Sequence, residues 1–239
     1  MCALAACQHA PSEREVQGAQ IHYDLGVQAQ QSGEVQGALR EYQEALKLDP
    51  NFPEAHNALG LLLHLSFARA DDAVKHYRDA LKVRPTFSEA KTNLGNAYLD
   101  LNRYDEAIQL YEQALNDMLY PTPFIAQGNL GWALYKKGEV ERGLEQIRAA
   151  VTTNPKFCLG YRNLGLIQEE QGQVADACRQ FARYRENCPE AADAYLREGV
   201  CLAKVGQKAE ALERFKTCEQ KAEASSTRDD CRLYRERLR

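Results

Sequence analysis

Six glycines recur along this chain: Gly26, Gly60, Gly95, Gly131, Gly165 and Gly199, at steps of 34, 35, 36, 34 and 34 residues. Five of them follow a leucine (Leu25, Leu59, Leu94, Leu130 and Leu164), and the sixth follows Glu198. A period of this length has room for two helices and two turns. One such hairpin cannot bury its apolar face alone, so copies must stack and share a continuous core. That constraint moves the functional question from a reaction to a partner that is held.

The residues around each glycine repeat as well. Leu25-Gly26 is followed by Ala38, Tyr42, Ala45 and Pro50, Leu94-Gly95 by Tyr98, Ala107, Tyr111 and Ala114, and Leu164-Gly165 by Ala177, Phe181 and Pro189. Small residues mark places where two helices come too close for a larger side chain. The aromatic is expected to fill the space between a second helix and the next first helix, and Pro opens or precedes a helix, where a missing N–H costs little. This pattern resembles the tetratricopeptide repeat. The resemblance implies an all-α superhelical solenoid of six helix-turn-helix repeats, at 19–52, 53–87, 88–123, 124–157, 158–191 and 192–225, closed by a capping helix at 226–239. Repeat two carries one extra residue near Phe67 to Ala70, and repeat three carries two between Asn116 and Pro123.

With 44% hydrophobic and 27% charged residues and eight prolines, the chain reads as one elongated domain without a low-complexity linker. A net charge of −4 gives no general attraction for nucleic acid. None of the phosphate-loop, zincin, nucleophile-elbow or dinucleotide motifs occurs, so no enzyme, metal site or small-molecule substrate is expected. His56 and His64 read as solvated or core histidines, and Asp71-Asp72 and Glu169-Glu170 as helix-start or surface acids.

The N-terminus and the cysteines speak of location. Leu4-Ala5-Ala6-Cys7 resembles a bacterial lipobox, in which the Cys thiol is diacylated after cleavage before it. On that reading 1–6 are the remnant of a lipoprotein signal and 7–18 a lipidated tether. Covalent lipid on Cys7 would be the only non-protein group. Gln8 after the Cys favours the periplasmic face of the outer membrane. No segment approaches the ~20 apolar residues of a spanning helix.

Six further cysteines crowd into the last third, without the spacing of a zinc site. Hairpin geometry places Cys158 opposite Cys188 and Cys218 opposite Cys231, and puts Cys178 and Cys201 on adjacent helices. These three pairs are expected as disulfides, which persist in a periplasm. Six buried free thiols in a cytosolic protein is the alternative.

In stacked tetratricopeptide repeats the first helix of each hairpin lines a concave groove. Here the lining positions give Tyr23, Val27, Leu61, Leu65, Leu99, Trp132, Tyr135 and Leu166, an apolar floor suited to an amphipathic or extended peptide. The two-carboxylate clamp of heat-shock co-chaperones is ruled out, since Tyr23 and Val27 occupy its Lys and Asn positions.

The lipobox, the six repeats and the junction Leu119-Tyr120-Pro121 leading to Asn129-Leu130-Gly131 together resemble the tetratricopeptide pilotin lipoproteins of type IV pilus systems. The resemblance implies binding of the secretin subunit and its delivery to, or multimerisation in, the outer membrane, with pilus assembly and pilus-driven motility depending on it. A periplasmic cell-wall accessory lipoprotein and a cytosolic scaffold or co-chaperone are the alternatives.

Overall fold

The structure is a computed structural model that describes residues 10–238, with Ser225 described by its backbone alone. Cys7 and the rest of the lipobox lie outside the described residues. Among those residues thirteen helices form and no strand does. The chain divides into two compact units, 1–120 and 121–239.

The first unit holds three hairpins: α1 (Glu13–Gln31) with α2 (Val35–Leu48), α3 (Pro53–Phe67) with α4 (Ala70–Val83), and α5 (Ser88–Asp100) with α6 (Tyr104–Leu115). The second holds α7 (Pro123–Lys137) with α8 (Val140–Thr153), α9 (Cys158–Glu170) with α10 (Val174–Asn187), α11 (Ala192–Lys204) with α12 (Lys208–Lys221), and α13 (Ser225–Leu238). Within each unit successive hairpins pack on one another, so the fold class is the all-α repeat array expected from the glycine period.

Two boundaries differ from the sequence reading. Part of the stretch read as a tether is helical, because α1 begins at Glu13. Ser12 and Glu15 form a capping box there: the Ser12 backbone N–H donates to Glu15 Oε2 at 2.7 Å, and the Glu15 N–H donates back to Ser12 Oγ at 3.4 Å. That reciprocal pair satisfies two of the orphan donors of the first turn without any apolar periodicity. At the other junction Pro123 is the first residue of α7, where its ring suits the first helical position.

The turn inside each hairpin uses one residue in the left-handed region: Gly33, Ala68, Asn102, Gly138, Gly172 and Gly206. In five hairpins it is followed by an N–H that reaches back five residues, as Glu34 does to Ala29 O (2.8 Å) and Arg103 to Tyr98 O (2.7 Å). This closes orphan carbonyls at the helix end. In the second hairpin Arg69 N–H reaches back six residues, to Leu63 O at 2.9 Å. The extra residue of repeat two is absorbed there, and Ala68, at φ 52°, carries a strain that glycine would not.

The recurring glycine has a specific job. A Cβ at Gly26 would fall 2.5 Å from Tyr42 Cε1, at Gly60 2.7 Å from Tyr77, at Gly95 2.6 Å from Tyr111, and at Gly165 2.5 Å from Phe181. The aromatic of the second helix therefore lies flat over the bare backbone of its own hairpin's first helix. The sequence reading had placed it against the next hairpin only. Phe181 does both, since it also clusters with Cys201 on α11. The fourth hairpin departs from the rule. Ile147 replaces the aromatic, Gly143 replaces the alanine, and a Cβ at Gly131 would lie 2.6 Å from Gly143 O and 2.9 Å from Ile147 N. There backbone meets backbone.

The second unit is cross-linked. Cys158 is bonded to Cys188, Cys178 to Cys201 and Cys218 to Cys231, with Cα–Cα separations of 5.8, 5.4 and 6.0 Å. The last fixes α13 to α12, and Tyr234 stacks on Phe215 at 5.7 Å. Where the other repeats carry leucine before the glycine, α11 carries buried Glu198, whose Oε2 accepts from Arg185 Nε at 2.5 Å and Arg214 Nε at 2.7 Å. Two guanidinium groups make that carboxylate tolerable out of water.

Candidate functional site

The first helices of the first unit's hairpins turn one face toward a common groove. Tyr23, Val27, Gln30 and Gln31 come from α1, Glu54, Asn57, Ala58 and Leu61 from α3, and Glu89 from α5, with Phe87 and Tyr42 behind them, around a volume of about 430 Å³. These residues recur on one helical face because three- and four-residue steps line up along a helix. The groove brings together three of the expected residues, Tyr23, Val27 and Leu61. Leu65 is 70% exposed and Leu99 is half-buried.

Aromatic packing builds the groove wall. Tyr23 lies 5.2 Å from Phe52 and 6.0 Å from Tyr42, centroid to centroid. The Tyr42 hydroxyl donates to Gln30 Oε1 at 2.8 Å. Burial, with a smaller contribution from Tyr23, pushes the Tyr42 phenol up to about 12. Tyr23 is raised too, first by burial and then by the negative charges of Glu54, Asp24 and Glu89. Both phenols therefore stay neutral hydrogen-bonding groups through the physiological range.

In the second unit the expected residues have packing duties. Trp132 and Tyr135 are half-buried and pack against the cluster of Leu144, Ile147, Leu164 and Ile167. Their rings lie 5.1 Å apart, and Lys136 Nζ sits 5.9 Å from the indole centroid. The Tyr135 hydroxyl donates to Glu170, and burial followed by that bond pushes the phenol to about 12. Leu166 packs against Ala177, Phe181 and Cys201. Glu169 and Glu170 close α9 rather than start a helix. Glu169 accepts from Lys204 Nζ at 2.6 Å, which answers a charge placed unfavourably at a helix C-terminus.

A second recess of about 380 Å³ in this unit is lined by Glu169, Leu196, Arg197, Val200, Lys204, Asp230 and Tyr234. Of its lining, the sequence places Glu169 and Lys204 beside the expected groove positions, whereas Leu196, Val200 and Tyr234 are not among them. Its signal was present, since Leu196 and Val200 sit on α11 as Tyr23 and Val27 sit on α1, and α13 supplies the next helix.

The histidines serve the fold. Buried His64 holds α3 to α5 through Asp100, Nε2 to Oδ2 at 2.8 Å. His56 Nε2 donates to Pro50 O at 2.9 Å, and the Nδ1 atoms of His56 and His76 lie 3.2 Å apart. Among the described residues no group of three or more His, Cys, Asp or Glu is placed to hold a metal ion. None of their helices is long and apolar enough to cross a membrane.

Comparison with known proteins follows this geometry. The tetratricopeptide repeat profile matches residues 62–123, 129–189 and 162–222, and a related TPR repeat profile matches 30–66. No curated protein matches the chain in sequence. Among solved structures, PilW, a widely conserved type IV pilus biogenesis factor, superposes with a TM-score of 0.75 at 24% identity, over 88% of this chain and 96% of that one. PilF of Pseudomonas aeruginosa gives 0.71 at 18% identity, over 92% and 99%. A tetratricopeptide repeat protein of Parabacteroides merdae gives 0.76 at 18%, over 90% and 84%. These likenesses establish the fold. With repeat profiles covering most of its length, and six hairpins each built on a glycine, the chain belongs to the tetratricopeptide repeat family.

Proposed function

We propose that this protein is an outer-membrane lipoprotein of the pilotin type, which binds the secretin subunit of a type IV pilus machine and promotes its localisation and multimerisation. Pilus assembly and pilus-dependent motility would then require it. The observation that carries the reading is the aromatic-walled groove of the first unit around Tyr23, Val27 and Leu61, which suits an amphipathic or extended segment. The fold likeness to PilW and PilF and the lipobox pattern support it. Together with the Tyr120-Pro121 junction, they resemble the myxobacterial social-gliding pilotin Tgl. Three disulfides in the second unit favour an oxidising compartment over the cytosolic scaffold reading.

In this mechanism lipid on Cys7 holds the protein at the bilayer and raises the local concentration of whatever the groove binds. Because α1 begins at Glu13, only residues 8–12 separate the lipid from the first hairpin. Even fully extended they reach about 18 Å, so the groove works close to the membrane surface. The test compares SDS-resistant secretin multimers in cells with the protein, without it, and with Tyr23→Ala/Leu61→Ser. Loss of multimers with retained secretin monomer is the expected result in both altered strains. Normal multimers in the strain lacking the protein would overturn the proposal in favour of the cell-wall accessory reading.

A further inference from the structure

The groove of the first unit carries Glu54 and Glu89 with no base in its lining, whereas the recess of the second unit sets Arg197 and Lys204 among its acids Glu169 and Asp230. Glu89 stands in the first turn of α5, exposed, on the groove wall, with no hydrogen-bond or ion-pair partner among the described residues. Glu54, on the same wall, is answered from the rim by Arg84 Nη2 at 2.5 Å. Among the described residues no lysine or arginine lines the groove itself. The Tyr23 hydroxyl feels Glu54, Asp24 and Glu89 together, so their fields converge at the apolar floor.

The corresponding helices of the second unit answer their charges internally. Arg162 Nε pairs with Asp193 at 3.1 Å, Lys204 with Glu169 at 2.6 Å, and Glu170 accepts from Tyr135. An open carboxylate beside an apolar floor is complementary to a cation beside an apolar side chain, and complementarity of this kind chiefly sets specificity and encounter rate.

We propose that the first-unit groove selects a cationic amphipathic segment: an apolar side chain enters between Tyr23 and Leu61, and a neighbouring Lys or Arg pairs with Glu89. This deepens the groove reading above and rests on it. Because Glu89 is exposed, the pair adds a modest, salt-sensitive preference to the apolar contact.

The test uses three synthetic amphipathic helical peptides with one leucine face and a polar face of Lys, Gln or Glu, each titrated by fluorescence polarisation against the full chain. The expected order of affinity is Lys over Gln over Glu at low salt, narrowing as salt rises. Glu89→Gln should weaken the Lys peptide about two- to fivefold and leave the Gln peptide unchanged, and Glu89→Lys should favour the Glu peptide over the Lys peptide. If both Glu89 variants bind all three peptides as the parent does, charge selection falls and the apolar groove stands. If no peptide binds the parent, or Tyr23→Ala/Leu61→Ser binds all three unchanged, the groove reading falls and takes the charge selection with it. Circular dichroism of each variant separates loss of binding from loss of fold.

Discussion

The two units use one repeat in different ways. Among its described residues the first has no disulfide; it covers its three hairpin glycines with tyrosines and turns an unpaired carboxylate into its groove. The second is tied by three disulfides, uses phenylalanine or isoleucine over its glycines, pairs Asp193 with Arg162 and Glu169 with Lys204, and sets bases among the acids of its recess. A repeat fold thus separates two demands. Covalent bonds and internal ion pairs secure one run of hairpins, while polar handles and open charge are kept where a ligand would be held.

The largest expected difference between the units comes from reduction. The disulfides span 30, 23 and 13 residues, and on the chain-entropy account loops of that size contribute about 3 kcal/mol each. Hydrogen exchange with and without reductant should show amides of α9 to α13 losing protection while α1 to α6 keep theirs. Equal loss in both units would show that the bridges do not act locally. Replacing Cys218 and Cys231 by serine should release α13 first, since that bridge fixes it to α12.

Next in size is the contrast between two glycines. Gly95→Ala puts a methyl 2.6 Å from the buried Tyr111 ring, which must tilt by most of an ångström to make room, so a loss of about 1–3 kcal/mol is expected. Gly131→Ala presses it against the Gly143 carbonyl and the Ile147 amide, neither of which can rotate away. A loss of about 3 kcal/mol or more is expected. Chemical denaturation of the two variants checks the order, and an equal loss would mean that α7 and α8 slide apart as easily as a ring tilts.

The three tyrosines of the first unit give a smaller, signed effect. Tyr42 donates to Gln30 and Tyr111 to Asn96, both at 2.8 Å. Buried Tyr77 has no partner for its hydroxyl, and burial raises its phenol strongly. In repeat two the two partner positions are Leu61, which cannot accept, and His64, which is engaged with Asp100. Phenylalanine at 42 or 111 should cost about 1 kcal/mol, whereas Tyr77→Phe should be neutral or stabilising by about 1 kcal/mol. Thermal melts of the three variants suffice, and a loss at Tyr77 matching the other two would imply a buried water on its hydroxyl.

Much of this could be read from the chain, and the unread part has physical causes. The glycine period gave the hairpins because only a bare backbone fits under the ring, so sequence and packing share one constraint. The start of α1 is written in Ser12 and Glu15 as a capping box, a signal independent of the apolar periodicity that marks the other helices. The groove residues of α1 and α3 followed from helical spacing. The openness of Glu89 did not, since it depends on where Arg84 reaches, 30 residues from Glu54 in sequence. Helical spacing puts Trp132 among the groove-lining positions, whereas its packing against Leu144 and Ile147 appears only once α7 and α8 are in contact.

The smallest effect is a proton that separates the units without any substitution. His56 must donate through Nε2 to Pro50 O, so its Nδ1 carries a lone pair and accepts from His76 Nδ1–H. Burial first, and the neighbouring His56 second, hold His76 below the usual 6.5, while Lys75 opposes and Asp72 and Asp79 favour its charging. As pH falls below about 6.5 the unfolded chain binds a proton at His76 before the folded chain does. Its contribution is therefore complete above 6.5 and declines as pH drops toward the lowered folded value. Hydrogen exchange of α3 and α4 between pH 7.5 and 5 should show this decline relative to the second unit, and His76→Gln should remove the difference. A slope that survives the substitution would assign the proton to another group.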